Sequence, residues 1–394
     1  MRSEPVIVDV VRTPIGRGKL GGALSAVHPV ELLATLLRAL VARNDIDPGL
    51  IDDVLIGCVS QGGEQSATPG RMALLAAGFP DHVPATTIDR RCGSSQQAVH
   101  FAAHAIAAGA YDIAIAGGIE SMSRVPMGSA RMGQDPFGPS VTNRYSPGLV
   151  SQGIAAELVA AKWGLTREQL DAYSVRSHER ASAARDSGAF LDEIVPIRLE
   201  SGAVISQDET IRTGTTFAGL SNLKPSFVDA EVHERHPSIN WSITPGNSSQ
   251  ISDGASAVLL MSEAMATRLN LRPRARFAGY DVCGADPILM LTAPIPATRR
   301  VIKKAGLKTD DIGHFEVNEA FAPVPLVWQR EIGVEDDRLN PVGGAIALGH
   351  PLGASGARLM TTMINSMERH KVRYGLQTMC EAGGMANATI LERL

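Results

Sequence analysis

The feature that most constrains the fold is a pattern that the chain uses twice. A Gly/Ser turn leads into an Ala-rich helix and then a strand with paired glycines in CGSSQQAVHFAAHAIAAGAYDIAIAGGIESM, which begins at Cys92. The same order returns in GHPLGASGARLM, from Gly349, and in QTMCEAGGMANATI, from Gln377. This similarity indicates a duplicated β/α unit, because each copy repeats one supersecondary motif. A duplicated unit can bring one functional turn from each half to a shared centre.

The size and charge of the chain exclude several classes of protein. Its 394 residues are enough for two hydrophobic cores, or for one duplicated core with an insertion. The net charge of -4 argues against a nucleic-acid partner, since such binding usually needs a basic excess. No apolar run approaches the ~20 residues that span a bilayer, and the N-terminus lacks a signal-peptide core. We therefore expect a cytoplasmic protein without a membrane span.

Hydrophobic periodicity divides the chain into three parts. The first part begins strand, helix, strand, and a second series of the same kind starts near Arg274. Between them the composition changes to Met, Gly, Pro, Arg and Ser, with one helical stretch at 151–187. The pattern predicts an α/β fold with a large insertion. The predicted parts are an N-terminal half at 1–120 completed by 244–271, an inserted loop domain at 121–243 and a C-terminal half at 272–394.

The four cysteines are widely separated and have different neighbours. They form no CxxC pair, which argues against a zinc site and against a secreted disulfide framework. Cys58 and Cys283 follow apolar runs and are interpreted as core residues. Cys92 lies at a predicted helix N-terminus, where unpaired N–H groups and the helix dipole favour a thiolate. Cys380 lies at a predicted strand end before Gly383 and its neighbouring glycine.

One histidine lies in a loop that is unusually rich in glycine. His350 is the histidine of NPVGGAIALGHPLGASG, residues 340–356, and glycines let such a loop turn sharply and approach a ligand. Taken alone, the loop fits a hydrogen-bonded turn as well as a catalytic site. With Cys92 and Cys380 the imidazole supplies the minimal groups for covalent catalysis. Asn318 of VNEAFAP adds an amide that can donate to a developing oxyanion.

Other polar residues give weaker signals. Arg212 in IRTGTT is a candidate phosphate contact, and Ser249 lies in a Gly/Asn/Ser turn whose hydroxyls can reach a ligand. His100 and His104 are four residues apart on a predicted helix, but no third ligand is spaced to complete a metal site. We therefore predict no metal.

Four short blocks occur together in one order along the chain. They are RCGSS at 91–95, NEAFA at 318–322, GGAIALGHPLGASG at 343–356 and CEAGG at 380–384. Together they resemble the thiolases, acetyl-CoA acyltransferases that cleave or form 3-oxoacyl-CoA thioesters. The resemblance extends from VRTPIG at 11–16 to the last predicted strand. It implies a duplicated α-β-α-β-α layered fold with a loop domain inserted in the first half.

The resemblance also implies the catalytic roles. Cys92 would be the nucleophile that carries the acyl group, and His350 would activate it. Cys380 would act as the acid and base at the acetyl α-carbon. Asn318 and His350 would form one oxyanion hole, and the backbone N–H groups of Cys92 and Ala382 would form the other.

The substrates and partners follow from the same resemblance. Coenzyme A would be a co-substrate, with Ser249 near its pantetheine and Arg212 near its nucleotide, and no tightly bound cofactor would be needed. The expected reaction is ping-pong cleavage of 3-oxoacyl-CoA to acyl-CoA and acetyl-CoA through an acyl-cysteine. A homo-oligomer, dimer or tetramer, is also implied.

The chain departs from the family pattern at one glycine. The family's last motif is usually Cys-x-Gly-Gly-Gly, whereas this chain has Ala382 at the first of those glycines. Alanine is strained where a positive φ is required, so the second oxyanion hole is the weakest part of the resemblance. The polar segment AEVHERHPSINW at 230–241 is also longer than usual and would reshape the pocket mouth.

The physiological direction is less constrained than the reaction class. AGGIESMSRVPMG at 116–128 resembles degradative thiolases, and GEQ at 63–65 with DRRCGSSQQAVH resembles actinobacterial lipid- and steroid-degrading members. β-Oxidation of fatty acids or steroids is therefore the favoured interpretation. The alternatives are a biosynthetic thiolase that forms acetoacetyl-CoA, a decarboxylating ketoacyl synthase, a catalytically weak acyl-CoA-binding relative and an unrelated cysteine hydrolase.

Overall fold

The structure, a computed structural model, describes residues 4–394. The strands are β1 (Pro5–Arg12), β2 (Gly16–Arg17), β3 (Asp53–Gly57), β4 (Ala85–Ile88), β5 (Ile113–Ser121), β6 (Ile197–Arg198), β7 (Val204–Ile205), β8 (Ser252–Ser262), β9 (Ala275–Gly284), β10 (His314–Val317), β11 (Tyr374–Glu381) and β12 (Met385–Arg393). The α-helices are α1 (Pro29–Arg43), α2 (Pro69–Ala76), α3 (Ser94–Ala107), α4 (Gly138–Arg144), α5 (Gln152–Lys162), α6 (Arg167–Asp186), α7 (Phe217–Ser221), α8 (Ala230–Arg235), α9 (Glu263–Arg268), α10 (Pro294–Ala305), α11 (Pro323–Ile332), α12 (Ala345–Leu348) and α13 (Ser355–His370).

Two blocks of strands repeat one topology. The first block has the order β3-β5-β8-β1, with β4 added beside β3, and the second has the order β10-β11-β12-β9. In each block the first pair is parallel and the next two pairs are antiparallel. Within residues 4–394, strands of the two blocks pair only where Val6 and Ile7 lie opposite Arg276 and Ala275. The duplication suggested by the two glycine-containing segments is therefore visible in the strand order.

Helices cover both faces of each block. Side chains on β8 alternate, so that Leu259 packs in the cluster of α1 and α2 while Val258 and Leu260 pack in the cluster of α3 and α13. The helices α3 and α13 contact one another and lie between the two blocks. On the outer face of the second block lie α10 and α11. The result is five layers in the predicted order α-β-α-β-α.

The structure differs in detail from simple sequence-based expectations at two points. A Gly-Gly pair such as that in AIAGGIESM usually predicts a turn, but β5 continues through Gly117 and Gly118. These glycines admit close neighbours instead, since a Cβ on Gly118 would lie 2.0 Å from the carbonyl oxygen of Gly353. The stretch 151–187 is helical as predicted but contains two helices, because Gly164 ends the first with a φ of +61°. The helix that follows NEAFA is α11, which begins at Pro323.

The segment between β5 and β8 contains α4 to α8 and the small β6–β7 sheet. Thr166 begins α6 with a capping box, in which Thr166 and Gln169 exchange side-chain to backbone hydrogen bonds. The division into an inserted domain at 121–243 and two halves stays a prediction. Within residues 4–394 no helix is both long and apolar enough to cross a membrane.

Candidate active site

The loop that carries His350 is held in place by backbone hydrogen bonds. The His350 N–H donates to the carbonyl oxygen of Gln250 at 3.1 Å and to Ser252 Oγ at 3.1 Å. Gly349 precedes it with a φ of +89°, and a Cβ there would lie 2.4 Å from Ser252 Oγ. Only glycine satisfies both conditions, so this position needs the residue that the sequence has. The histidine side chain is thereby directed into the interior.

Hydrogen bonds define the tautomer of His350. Ser355 Oγ lies 2.6 Å from His350 Nδ1 and donates its own proton to the carbonyl oxygen of Pro351 at 2.8 Å. A hydroxyl that donates elsewhere must accept here, so Nδ1 carries the proton. His350 Nε2 is therefore the unprotonated nitrogen. Asn318 Nδ2 lies 3.4 Å from it and completes the pair.

His350 is neutral in this environment. Burial lowers the pKa of His350 to about 3, and the positive charge of Arg358 lowers it further. The guanidinium of Arg358 is itself buried and has no hydrogen-bond partner among the described residues. A neutral imidazole with a free Nε2 can accept a proton, as a general base requires.

Cys92 lies in a strained turn at the start of α3. Arg91 has a φ of +49°, and the hydroxyl of Ser94 accepts from the N–H of Arg90 at 2.9 Å. The thiol packs in a small apolar cluster that includes Leu352, two residues after His350, and Met379, one residue before Cys380. The structure therefore brings together the turns that carry all three predicted catalytic residues.

The resting protonation of Cys92 differs from the sequence-based expectation. Burial raises the pKa of Cys92 to about 12, and the charge of Glu381 raises it as well. The Gln152 side chain at the start of α5 hydrogen-bonds the thiol and opposes this shift. Desolvation thus outweighs the effect of the helix N-terminus, which on its own favours a thiolate. The pair is instead a thiol beside a neutral imidazole.

The second cysteine lies at the end of β11. Cys380 is fully buried and pairs with Ala386 of β12, and burial together with the charge of Cys92 raises the pKa of Cys380. In the turn that follows, positive φ values fall on Gly383 (+91°) and Gly384 (+79°), not on Ala382. Ala382 therefore does not have the strained backbone that a positive φ would impose on alanine, because both positions with positive φ are glycines.

The segment that carries Asn318 is held by a buried carboxylate. Glu319 accepts hydrogen bonds from Tyr173 at 2.8 Å and Ser177 at 2.7 Å, both on α6, and from the N–H of Ile346 in the glycine loop at 3.0 Å. One residue thus fixes the amide of Asn318 relative to His350. The sequence analysis noted the NEAFA block but missed this role, although an acidic residue in an apolar segment is a signal for a buried partner.

A second buried carboxylate was also missed. Glu120 at the end of β5 accepts from the N–H groups of Val59 at 3.0 Å, Ser60 at 2.9 Å and Gly353 at 2.9 Å. Gly353 belongs to the glycine loop. Glu120 therefore ties the first block of strands to the loop that carries His350.

The two candidate coenzyme A contacts lie beside the same segments. The N–H of Ser249 donates to the carbonyl oxygen of Ala320 at 2.9 Å, two residues after Asn318. Arg212 is exposed, and its guanidinium donates to Gln250 Oε1 at 3.3 Å. Gln250 is the residue whose carbonyl oxygen accepts from His350, so both candidates border the histidine loop.

The two helical histidines of α3 have partners other than a metal. His100 Nε2 lies 2.7 Å from Thr389 Oγ1, and the His104 ring packs edge-on against Tyr280. Across the described part of the chain, no group of three or more His, Cys, Asp and Glu side chains could hold a metal ion.

Comparisons with known proteins match this geometry to one family. The family model described as "Thiolase, N-terminal domain" matches residues 5–264, and the family model described as "Thiolase, C-terminal domain" matches residues 271–393. The chain belongs to the thiolase family. The resemblance carried by the four sequence blocks is thereby confirmed.

Individual thiolases resemble this one over their full length. A steroid 3-ketoacyl-CoA thiolase of Mycobacterium tuberculosis is 48% identical, with 100% of this chain and 95% of that protein covered. A 3-ketoacyl-CoA thiolase of Escherichia coli is 44% identical over 99% of this chain and all of its own length. A crystal structure of the Bacillus anthracis acetyl-CoA acetyltransferase superposes with a TM-score of 0.89 at 36% identity, covering 100% and 99% of the two chains. The predicted layered fold and the predicted enzyme class, an acetyl-CoA acyltransferase, are confirmed.

Proposed function

We propose that this thiolase cleaves 3-oxoacyl-CoA with coenzyme A, giving acetyl-CoA and a shortened acyl-CoA in β-oxidation. The observation that carries the proposal is the neutral His350, whose unprotonated Nε2 lies beside Asn318, together with the two buried cysteines Cys92 and Cys380, which interact with each other. Relatives named 3-ketoacyl-CoA thiolases support the degradative direction over acetoacetyl-CoA synthesis.

In the first half-reaction Cys92 loses its proton to Nε2 of His350, and the thiolate attacks the 3-oxo carbon. The bond between C2 and C3 then breaks, and the enolate of acetyl-CoA takes a proton from the thiol of Cys380. Donors from Asn318 and from the backbone N–H groups of Cys92 and Ala382 stabilise the oxyanions. The products are acetyl-CoA, an acylated Cys92, an imidazolium and a thiolate at Cys380.

In the second half-reaction the thiolate of Cys380 takes the proton of the coenzyme A thiol. The new thiolate attacks the acyl carbonyl, and Cys92 leaves as a thiolate that regains its proton from His350. Cys92, His350 and Cys380 thereby return to their starting states. Because burial disfavours charge on the cysteines and on His350, these charges form during the catalytic cycle and are absent from the resting enzyme.

An apolar wall beside Cys92 suits a bulky acyl group. Gln152, which hydrogen-bonds the thiol, is flanked by Val150 and Ile154. Both pack in a cluster to which the long polar segment at 230–241 contributes three apolar residues, Val232, Ile239 and Trp241. We therefore assign this segment to the acyl side of the pocket, and steroid or long straight chains to the substrate class.

The remaining sequence-based expectations are part of the same proposal. Coenzyme A acts as a co-substrate, with Ser249 on its pantetheine and Arg212 on its nucleotide, and no cofactor is tightly bound. The proposed division of the chain keeps the loop domain at 121–243. A homo-oligomer, dimer or tetramer, is proposed on the family resemblance; strand β4 at the end of its sheet pairs on one side only within residues 4–394.

Acylation of Cys92 tests the proposal. The enzyme is treated with acetoacetyl-CoA, a long-chain 3-oxoacyl-CoA and a 3-oxo-CoA of a steroid side chain, without free coenzyme A. We expect intact-protein mass spectrometry to show an acyl adduct from the second or third substrate. Peptide mapping should place the adduct on Cys92, and added coenzyme A should remove it.

The matched control is Cys283→Ala, which removes another buried cysteine of the C-terminal core. It should keep the adduct, whereas Cys92→Ala should lose it. An adduct that persists in Cys92→Ala would refute the assigned nucleophile. Acylation by acetoacetyl-CoA alone would refute the degradative substrate class.

A further inference from the structure

A buried carboxyl group, that of Glu381, lies beside the turn that carries Cys92. Glu381 follows Cys380 at the end of β11 and pairs with Met385 across the turn to β12. Its side chain points towards the start of α3, since a Cβ built on Gly93 would lie 1.8 Å from Glu381 Oε1. Gly93 is the residue after Cys92. The carboxyl group thus contacts the backbone from which the nucleophile projects.

Glu381 lacks the partners that buried carboxylates normally have. The residue is fully buried, and neither carboxylate oxygen accepts a hydrogen bond of good geometry from the described residues, although the backbone of Asn387 lies near enough to lower the pKa of Glu381. Two other buried carboxylates near the site differ: Glu120 accepts from three backbone N–H groups, and Glu319 accepts from two hydroxyls, one backbone N–H and the side-chain amide of Asn340. An ionised carboxylate without donors in a dry site is costly, so the neutral form is favoured.

Several charged or titratable groups surround Glu381. Arg90 lowers the pKa of Glu381, but its Nη1 is directed at the sulfur of Met385 at 3.9 Å and its Nε has no partner among the described residues. His100 is buried, which lowers its pKa to about 3 and keeps it neutral. The charged or titratable groups that interact with the carboxyl group, from the turn before α3 and from β11 and β9, are Arg90, Cys92, Cys380 and Cys283, while His100 on α3 contacts Asn387 and not the carboxyl group.

Together these opposing effects bring the pKa of Glu381 close to neutral pH. Burial raises the pKa of Glu381 to about 8, against the opposing effect of Arg90. In turn the charge of Glu381 raises the pKa of both Cys92 and Cys380. A carboxylate and a thiolate in one water-poor site repel each other strongly, because screening there is weak.

We propose that Glu381 is a positioning residue for the thiolate of Cys92: the neutral carboxyl group lets the thiolate form, and the ionised carboxylate opposes it. The inference rests on the proposed role of Cys92 as the nucleophile. It assigns a function to Glu381, the residue that follows Cys380. Glu381 and Cys92 would then not both carry a negative charge at the same time. No proton transfer to substrate from Glu381 is involved.

The test compares alkylation of Cys92 in the wild type and in Glu381→Gln. Glutamine has nearly the same shape but cannot ionise. Rates of iodoacetamide labelling at Cys92, followed by peptide mass spectrometry, should be equal at about pH 6.5, where Glu381 is neutral. At about pH 9.5 the variant should react roughly tenfold faster, because only the wild type then carries the opposing charge. A rate ratio that stays constant across this range would overturn the proposal.

The control is Glu392→Gln, at the far end of the same β11–β12 hairpin, where the carboxylate pairs with Arg276 and Arg373. Its rate ratio to the wild type should not change with pH. If Glu381→Gln does not fold, the wild-type profile decides: labelling that follows one thiol ionisation with no second inflection near pH 8 contradicts the proposal. Failure of acyl-CoA to label Cys92 would instead contradict the proposed function, whatever the alkylation ratio.

Discussion

At the scale of single residues, Ser355 decides which nitrogen of His350 faces the cysteines. Its hydroxyl is committed to the carbonyl oxygen of Pro351 and so accepts from Nδ1. The glycine loop made His350 identifiable from sequence. Ser355 was not identifiable, because a serine five residues on in a helix start is more often a cap than an orienting partner. Only the folded loop brings the two side chains to 2.6 Å.

The substitution Ser355→Ala tests this orientation. Without the acceptor, the imidazole can rotate or change tautomer, so we expect kcat for thiolysis to fall roughly ten- to hundredfold. The KM for coenzyme A should stay unchanged, because Ser355 does not line the proposed coenzyme site. Ser366→Ala is a matched control, since Ser366 lies on the same helix beside another histidine, His370. Equal losses of kcat in both variants would contradict the orienting role.

At the scale of elements, the site depends on how closely α13 approaches α3. Gly356 in the first turn of α13 faces the first turn of α3, where a Cβ would lie 2.4 Å from the backbone nitrogen of Gln96. Nearby, Ser95 Oγ accepts from the N–H of Ala357 at 2.9 Å. The two helices carry the turns of Cys92 and His350, so the spacing between their first turns sets the spacing of the catalytic groups.

We expect Gly356→Ala to push these two helices apart. Overpacking of this kind costs about 1–3 kcal/mol of unfolding free energy, and kcat should fall by more than tenfold because the turns of Cys92 and His350 separate. Denaturant unfolding and thiolysis assays measure the two effects. Gly284→Ala is the control, since a Cβ there meets nothing within 4 Å. A Gly356→Ala enzyme with normal stability and kcat would show that the close approach is unimportant.

The elements themselves were predictable where periodicity or capping marked them. The capping box at Thr166, the helix after Cys92 and the strand before Cys380 follow from local sequence. The path of β5 through Gly117 and Gly118 was not predictable. Glycine pairs usually indicate turns, and here their function is contact with Ser256 and Gly353, which are distant in sequence.

At the scale of the whole molecule, the weak repeat in the sequence corresponds to two blocks of strands with one order. The repeat was detectable because each copy keeps a glycine-rich turn before a buried helix. What the sequence could not show is how the blocks meet, since only two residue pairs of β1 and β9 join them. Most of the joining is done by α3 and α13 between the blocks, and that packing depends on side-chain shape.

A buried ion network links three distant parts of the chain. Arg12 at the end of β1 binds Glu193 at 2.6 Å and Asp208 at 2.7 Å, both between β5 and β8. Glu193 also accepts from Thr362 on α13 at 3.1 Å. Arg12, whose side chain is fully buried, therefore links the first block to the inserted segment and, through Glu193, to α13.

Arg12→Met should destabilise the whole protein more than any surface change. It leaves two buried carboxylates without their cation, which typically costs about 3–5 kcal/mol.

The adjacent pair of Arg17 and Glu209 is the matched comparison, because it also joins the N-terminal region to the inserted segment but lies at the surface. Solvent screening limits such a pair to roughly 1 kcal/mol or less, so Arg17→Met should be nearly neutral. Denaturant unfolding measures both, and limited proteolysis should release fragments of residues 122–251 only from Arg12→Met. Equal stability of the two variants would mean that the inserted segment is held by its apolar contacts instead of this network.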